Sequence, residues 1–371
     1  VKMVASIKRR TVLAAALSMA LPMRSFAKPE IEADSVSSAL RRRVAEEKQG
    51  TGAVLGVVRA GELKTFHYGT VGLGKLQQPN DRSVFQIASL TKIFTALLLA
   101  DCVQRGEVNL VDPLSMYVAV PPATFDGNEI TLLDLATHTS GLPLRPSSRT
   151  GLSQDNPYAG YTESDLCADL GRVRLTRLPG SSFEYSNFDY ALLGYALSQR
   201  LGKTYADLLR ARILEPLRMD ETTLTPSTEM QHREIWGYDA DFHSAQPWEF
   251  GALAPAGGLF STVRDLSKFM ALWTNKESGP LSRAASMMLT VDRPGDNTDT
   301  RMGIGWRKVH PDGQSIAWSN GNGGGVRSFM GFNADTRVAA IAFINKTSGF
   351  GVDDIALGML APAGSHVPPF F

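Results

Sequence analysis

The sequence is poor in the residues that many enzymatic chemistries require. Its six histidines, His67, His138, His232, His243, His310 and His366, form no H-E-x-x-H pattern and no close pair, so no metal site is expected. No cofactor is expected either. The glycines Gly321, Gly323, Gly324 and Gly325 lack the trailing Lys-Ser/Thr of a phosphate loop and are read as a sharp turn beside a sheet edge. There is no G-x-S-x-G elbow, which argues against an α/β-hydrolase. Cys102 and Cys167, the two cysteines, lie in helical patterns and are read as buried free thiols. Charge of either sign is not in excess, with 38 Lys and Arg against 37 Asp and Glu. That balance gives no electrostatic case for binding nucleic acid or anionic lipid. Beyond the opening segment, no apolar run reaches roughly 18 residues without a charge, so no transmembrane helix is expected.

What is present is ample core material: 371 residues, 43% of them hydrophobic, enough for a large globular unit. The opening differs from the rest. Lys8-Arg9-Arg10 precede the apolar run Thr11–Leu17, and Ser25-Phe26-Ala27 has the small-x-small pattern of a cleavage site. Residues 1–27 are therefore read as a signal peptide, with Arg9-Arg10 suggesting twin-arginine export and a periplasmic or secreted product. Its loss would remove Lys2, Lys8, Arg9, Arg10 and Arg24 but no acid, taking the formal charge from +1 to −4.

Residues 28–371 read as one domain. A first helix is expected over 39–48, then a hairpin of 53–58 and 63–68 about the turn Arg59–Glu62. Helical patterns dominate the middle, clearest at 190–200, 204–213 and 263–274. Strand character returns at 315–318, 326–332 and 337–344, and a closing helix is expected near 352–360. Strands at both ends of a helical middle predict an α/β fold. One antiparallel sheet would be built from about 28–95 and 300–371, with a mainly helical lobe inserted over about 96–299.

Two short motifs carry chemistry. In Ser89-Leu90-Thr91-Lys92, positions i and i+3 share a helix face, so the Lys92 amine can reach the Ser89 hydroxyl. A serine is a weak nucleophile until a neighbouring base takes its proton. The apolar run Ile93–Ala100 makes this the start of a buried helix, whose N-terminus favours developing negative charge and whose burial helps a lysine lose its proton. A second S-x-x-K, Ser25 to Lys28, falls at the leader. In Tyr185-Ser186-Asn187, read as extended, Tyr185 and Asn187 point to one side and enter the same site. A serine, a lysine, a phenol and an amide suffice for acyl transfer without histidine or metal.

These motifs lie among others: Phe85–Lys92, Leu135–Leu142, Pro179-Gly180 ahead of Tyr185, Pro255–Thr262 and Ser319–Gly325. Over roughly residues 40–360 the chain resembles the class C β-lactamase-like serine hydrolases, which include D-Ala-D-Ala peptidases and β-lactamase-fold carboxylesterases. The resemblance implies a β-lactamase/transpeptidase-like fold with the site between sheet and helical lobe. It implies Ser89 as the acylated nucleophile, Lys92 and Tyr185 sharing the base role, and Tyr185 protonating the leaving group. Asn187 would hold the acyl-side amide, and Ser319, Asn320, Gly321 and Asn322 would line the substrate site. The backbone N–H groups of Ser89 and Asn322 would form the oxyanion hole.

The chain also departs from that pattern. Where the family has Lys or His it has Ser319, which offers only a neutral hydrogen bond. No arginine follows Asn345-Lys346 in Thr347–Val352, while Arg145 and Arg327 are candidate substitutes for the missing cation. Three readings follow for a small-molecule substrate. The leading one is hydrolysis of a β-lactam or related amide or peptide. A carboxylesterase on the same scaffold is the second, and a penicillin-binding D-Ala-D-Ala carboxypeptidase or slow-turnover sensor the third.

Overall fold

A computed structural model describes residues 33–149, 155–275, 278–347, 349 and 351–362. The expected signal peptide lies outside the described residues. Eight strands form the main sheet: β1 (Gly52–Arg59), β2 (Glu62–Gly69), β3 (Arg293–Pro294), β4 (Arg301–Met302), β5 (Arg307–Val309), β6 (Ile316–Gly323), β7 (Val326–Asn333) and β8 (Val338–Ile344). Their order is β2-β1-β8-β7-β6-β5-β4-β3, every neighbouring pair antiparallel. Both ends of the chain thus build one sheet, because β1 pairs along its length with β8.

The β1–β2 hairpin forms where the sequence places it. Ala60 and Gly61 at its tip have φ of 52° and 83°, the left-handed pair that matches strand twist in a two-residue turn. Strand β8 is buried at every position, as its unbroken apolar run requires of a central strand.

Helices cover both faces of the sheet. Among the labelled ones, α1 is Ala33–Arg41, α2 Thr91–Gln104, α3 Asn187–Leu201, α4 Val263–Thr274, α5 Pro280–Thr290 and α6 Asp353–Gly358. A Cβ on Gly56 of β1 would meet Val263 of α4, whereas one on Gly331 of β7 would meet Leu360, just beyond α6. Helix α1 starts earlier than the expected 39. Its buried residues Val36 and Leu40 continue as a stripe to Val44 in the helical turn Arg42–Glu46 that follows, spaced i, i+4, i+8, and the first of these precedes the Arg- and Glu-rich stretch that marks the helix in sequence. Buried Arg43 ties this segment to α6 through two bonds to Asp354.

Helix α2 is buried from Thr91 through Cys102. Such a helix shows no polar face because it runs through the middle of the protein. Strand β6 is longer than the expected 315–318, and Gly321 and Gly323 lie within it; the turn is confined to Gly324 and Gly325, at φ of 56° and 79°. The cysteines are free, Cys102 buried but Cys167 only half-buried. No helix among the described residues is long and apolar enough to cross a membrane.

Candidate active site

Ser89 lies in a tight turn, Ala88–Leu90, that leads directly into α2. Ala88, at φ 47°, occupies a left-handed conformation uncommon for a residue with a Cβ. The surroundings hold it there. Ile87 N–H donates to Leu259 O at 2.8 Å, and Ser328 Oγ donates to Ile87 O at 2.9 Å. The paired segments Phe85–Gln86 and Phe260–Ser261 bring the Pro255–Thr262 block beside this turn.

One helical turn on, Lys92 Nζ lies 3.1 Å from Ser89 Oγ, 2.8 Å from Asn187 Oδ1 and 2.7 Å from Ala256 O. Lys92 is buried. Its pKa is well below the ordinary lysine range, first because burial penalises the ammonium and then because the Arg307 cation repels it; Asp189 opposes both.

Tyr185 Oη donates to Ser89 Oγ at 2.6 Å. Burial pushes the phenol pKa up, against the lowering effects of its bond to Ser89 and of Arg307. The two shifts are opposite in direction, and each favours the uncharged form of its group beside the serine.

Tyr185 and Asn187 do reach one site, but not from an extended segment. Asn187 is the first residue of α3, and Ser186 is its N-cap, with Oγ accepting from Asp189 N–H at 3.0 Å. Asn187 N–H donates to Leu144 O at 2.9 Å and its Nδ2 to Tyr158 Oη at 2.9 Å. His138, buried at φ 58°, braces this entry. Its Nδ1 accepts from Ser186 N–H at 3.1 Å, its carbonyl accepts from Glu184 N–H at 2.8 Å, and its ring centroid is 4.5 Å from that of Tyr185. Burial, Lys92 and Arg307 hold its pKa well below the usual histidine range, so it is a neutral support. Below it, Asp189 accepts from Ser140 Oγ at 2.5 Å, and burial raises its pKa well above the carboxylate range.

The third wall is the end of β6. Strand β5 pairs with β6 only at Ile316–Trp318, so among the described residues no strand covers the outer edge of 319–323. Gly321 lies against the serine turn: a Cβ there would come 2.8 Å from both Ile87 O and Ser89 N. Ser319 alternates with Gly321 and faces the same way. Asn320 does not. Strand parity turns it to the other face, where its Nδ2 donates to Asp353 Oδ2 at 2.9 Å, so its side chain is removed from the substrate-lining set. Asn322 is exposed at the far end of the same edge.

Tyr158, the Ala256 carbonyl and Arg307 were not identified from sequence. Only Ala256 lay in a quoted block; the others have no local pattern, since strand pairing and lobe packing bring them in. Of the expected cations, Arg327 is bonded to Asp353 and to Gly349 O. Arg145 has its guanidinium carbon 5.7 Å from the Tyr158 ring centroid, at the Asn187 end. No cluster of His, Cys, Asp and Glu among the described residues is suited to a metal. The arrangement is suited to proton transfer about one hydroxyl: an acceptor amine on one side, a donor phenol on the other, and an open strand edge alongside.

Comparison with known proteins gives a consistent picture. The Beta-lactamase family model matches residues 37–361. The D-alanyl-D-alanine-carboxypeptidase/endopeptidase AmpH of Escherichia coli (strain K12) is 30% identical over 91% of this chain and 92% of its own length. A beta-lactamase of the same organism is 26% identical over 95% and 94%. Among solved structures, a beta-lactamase/D-alanine carboxypeptidase from Yersinia pestis complexed with citrate superposes with a TM-score of 0.74 at 27% identity, covering 85% of this chain and 94% of that one. A class C beta lactamase from Rhodobacter sphaeroides has the same fold, with a TM-score of 0.73 at 21% identity over 85% and 95%.

Proposed function

This chain belongs to the β-lactamase family and is a serine hydrolase, and we propose that it cleaves a β-lactam or related amide through an acyl-enzyme on Ser89. The observation that carries this reading is the pair of contacts to Ser89 Oγ, from Lys92 at 3.1 Å and Tyr185 at 2.6 Å.

The opposed pKa shifts support a base role for Lys92 and an acid role for Tyr185. A neutral Lys92 donates its two protons to Asn187 Oδ1 and Ala256 O and turns its lone pair to Ser89. It therefore takes the serine proton as Oγ bonds to the substrate carbonyl carbon. The carbonyl oxygen becomes an oxyanion, held by backbone N–H groups of Ser89 and Asn322. Tyr185 gives its proton to the departing nitrogen as the C–N bond breaks, which leaves a phenolate while the Lys92 ammonium keeps the serine proton. Water then attacks the ester, giving a proton to the Tyr185 phenolate, and the Lys92 ammonium returns its proton to Ser89 Oγ as the acyl bond breaks, releasing the acid and restoring the serine. Asn187, fixed by Tyr158 and Leu144, offers its amide to the acyl side of the substrate.

The neutral Ser319 supports a second reading, a carboxylesterase on the same machinery, since an ester needs no cation for a substrate carboxylate. Turnover of a chromogenic cephalosporin and of a short-chain nitrophenyl ester, with intact-mass detection of the acyl-enzyme, tests both. A cephalosporin acyl adduct that turns over supports the amide reading; ester turnover with no cephalosporin adduct supports the second. Residues 1–27 fit an export signal, so we place the mature enzyme outside the cytoplasm, to be checked by the N-terminus of the exported product.

A further inference from the structure

Ser319 puts no charge beside the reactive cluster, yet the cluster is not without a cation. Arg307 is the first residue of β5 and stands opposite Trp318 in register, at the notch where β5 ends and the bare edge of β6 begins. Its guanidinium carbon is 5.2 Å from the Trp318 ring centroid, 5.7 Å from Tyr185 and 5.8 Å from Phe183. Three aromatic rings thus form the walls of a cationic niche, an environment that holds a partly desolvated guanidinium well. The side chain is only 12% exposed.

Its bonding is one-sided. Nε donates to Asp296 Oδ2 at 3.0 Å, and among the described residues that is the guanidinium's hydrogen bond. The terminal nitrogens, four further N–H donors in a planar fork, remain for a ligand. Asp296 holds the side chain through Nε. The two other cations near the site are placed differently: Arg327 is bonded to Asp353, and Arg145 sits beside Tyr158 at the acyl-side end. Arg307 is the cation on the Tyr185 side, where the leaving group departs. Its field is also felt at the centre, since it adds to the burial-driven fall of the Lys92 pKa and offsets part of the burial-driven rise at Tyr185.

We propose that Arg307 is the anion-binding residue of this site, taking a carboxylate carried on the leaving-group side of the substrate. The inference rests on the acyl-enzyme reading above and narrows its substrate class to acyl compounds bearing such a carboxylate. It also reconciles Ser319 with an amide substrate, because the charge missing from β6 is supplied from the neighbouring strand.

The test separates binding from turnover. Binding of a carboxylate-bearing cephalosporin and of its methyl ester is measured by calorimetry on Ser89→Ala protein, alone and combined with Arg307→Gln, Arg307→Lys or Arg145→Gln. The acid should bind about ten- to a hundredfold more tightly than the ester, the range for charge-assisted bonds. Arg307→Gln should erase that preference, Arg307→Lys should keep part of it, and Arg145→Gln should leave it intact. A preference that survives Arg307→Gln, that disappears with Arg145→Gln, or that is absent from the start overturns the proposal. Should Arg307→Gln not fold, Ser89→Ala protein decides by salt. Affinity for the acid must then fall with ionic strength and that for the ester must not; equal behaviour overturns it. Failure of the acyl-enzyme reading would instead appear as no adduct and no turnover in the Ser89 enzyme, whichever way the binding falls.

Discussion

Gly321→Ala should damage both activity and stability, and the size of the effect follows from three distances. An alanine Cβ would sit 2.5 Å from Ser328 Oγ and 2.8 Å from both Ile87 O and Ser89 N, whereas ordinary contact begins at 3.4 Å. The Ser328 hydroxyl can swing aside only by giving up its bond to Ile87 O. The other two atoms are backbone on either side of Ala88, already held at positive φ, so they cannot yield independently. The strand edge and the serine turn must therefore separate by about 0.6 Å, the difference between those contacts. Overpacking of this kind costs about 1–3 kcal/mol, a fall of a few degrees in melting temperature for a domain of this size. Displacing Ser89 by that amount also stretches its contacts to Lys92 and Tyr185. Since about 1 Å of misplacement can cost a hundredfold, kcat should fall about ten- to a hundredfold. Steady-state kinetics and thermal denaturation check this, with Gly358→Ala as the control because a Cβ there meets nothing within 4 Å. Adding Ser328→Ala should relieve the defect only in part. A Gly321→Ala enzyme with unchanged kcat and melting temperature would refute the close packing of β6 against the nucleophile turn.

Ser89→Ala should abolish turnover of every substrate and any covalent mass increase; residual turnover above background would move the nucleophile elsewhere. Lys92→Ala and Tyr185→Phe should each lower kcat by about 10²-fold or more, and a Tyr185→Phe enzyme near normal would remove the phenol from the relay. With neutral Lys92 as the proposed base, kcat/KM should rise as pH increases through its lowered pKa and reach its plateau well below the ordinary lysine range. Arg307→Gln removes a repelling cation, so that limb should move to higher pH; a downward move contradicts the assignment. His138→Phe leaves the buried Ser186 N–H without its acceptor, at a cost of about 1–3 kcal/mol, and should lower kcat by loosening Tyr185. His138→Asn, which offers an acceptor and tolerates positive φ, should recover part of both, as measured by kinetics and thermal denaturation.

The serine and lysine were legible in the sequence because their relation is local. Three residues of helix place Lys92 over Ser89 whatever the rest of the chain does, and the apolar run after them signals burial. Hydrophobic patterning likewise announced the hairpin, the C-terminal strands and helix 263–274, since one face of each must be buried. Tyr185 and Asn187 were found as a motif, yet their shared direction comes from a helix cap and not from the extended chain expected.

Other features lay beyond any local pattern. Alternation along a strand says that Ser319 and Asn320 face opposite ways, but only pairing with β7 and the position of Asp353 decide which of them shares the face of the serine turn. Arg307 is an unremarkable basic residue until β5 ends beside Trp318 and the helical lobe brings Tyr185 and Phe183 against it. The protonation states of Lys92 and Tyr185 were equally hidden, because burial and the Arg307 field exist only in the folded protein. Local pattern was enough to pair Ser89 with Lys92 and to expect an antiparallel sheet, because helical spacing and strand alternation are relations between neighbouring residues. The cation and the base that we propose come only from the folded arrangement, since charges interact through space and desolvation depends on what surrounds them.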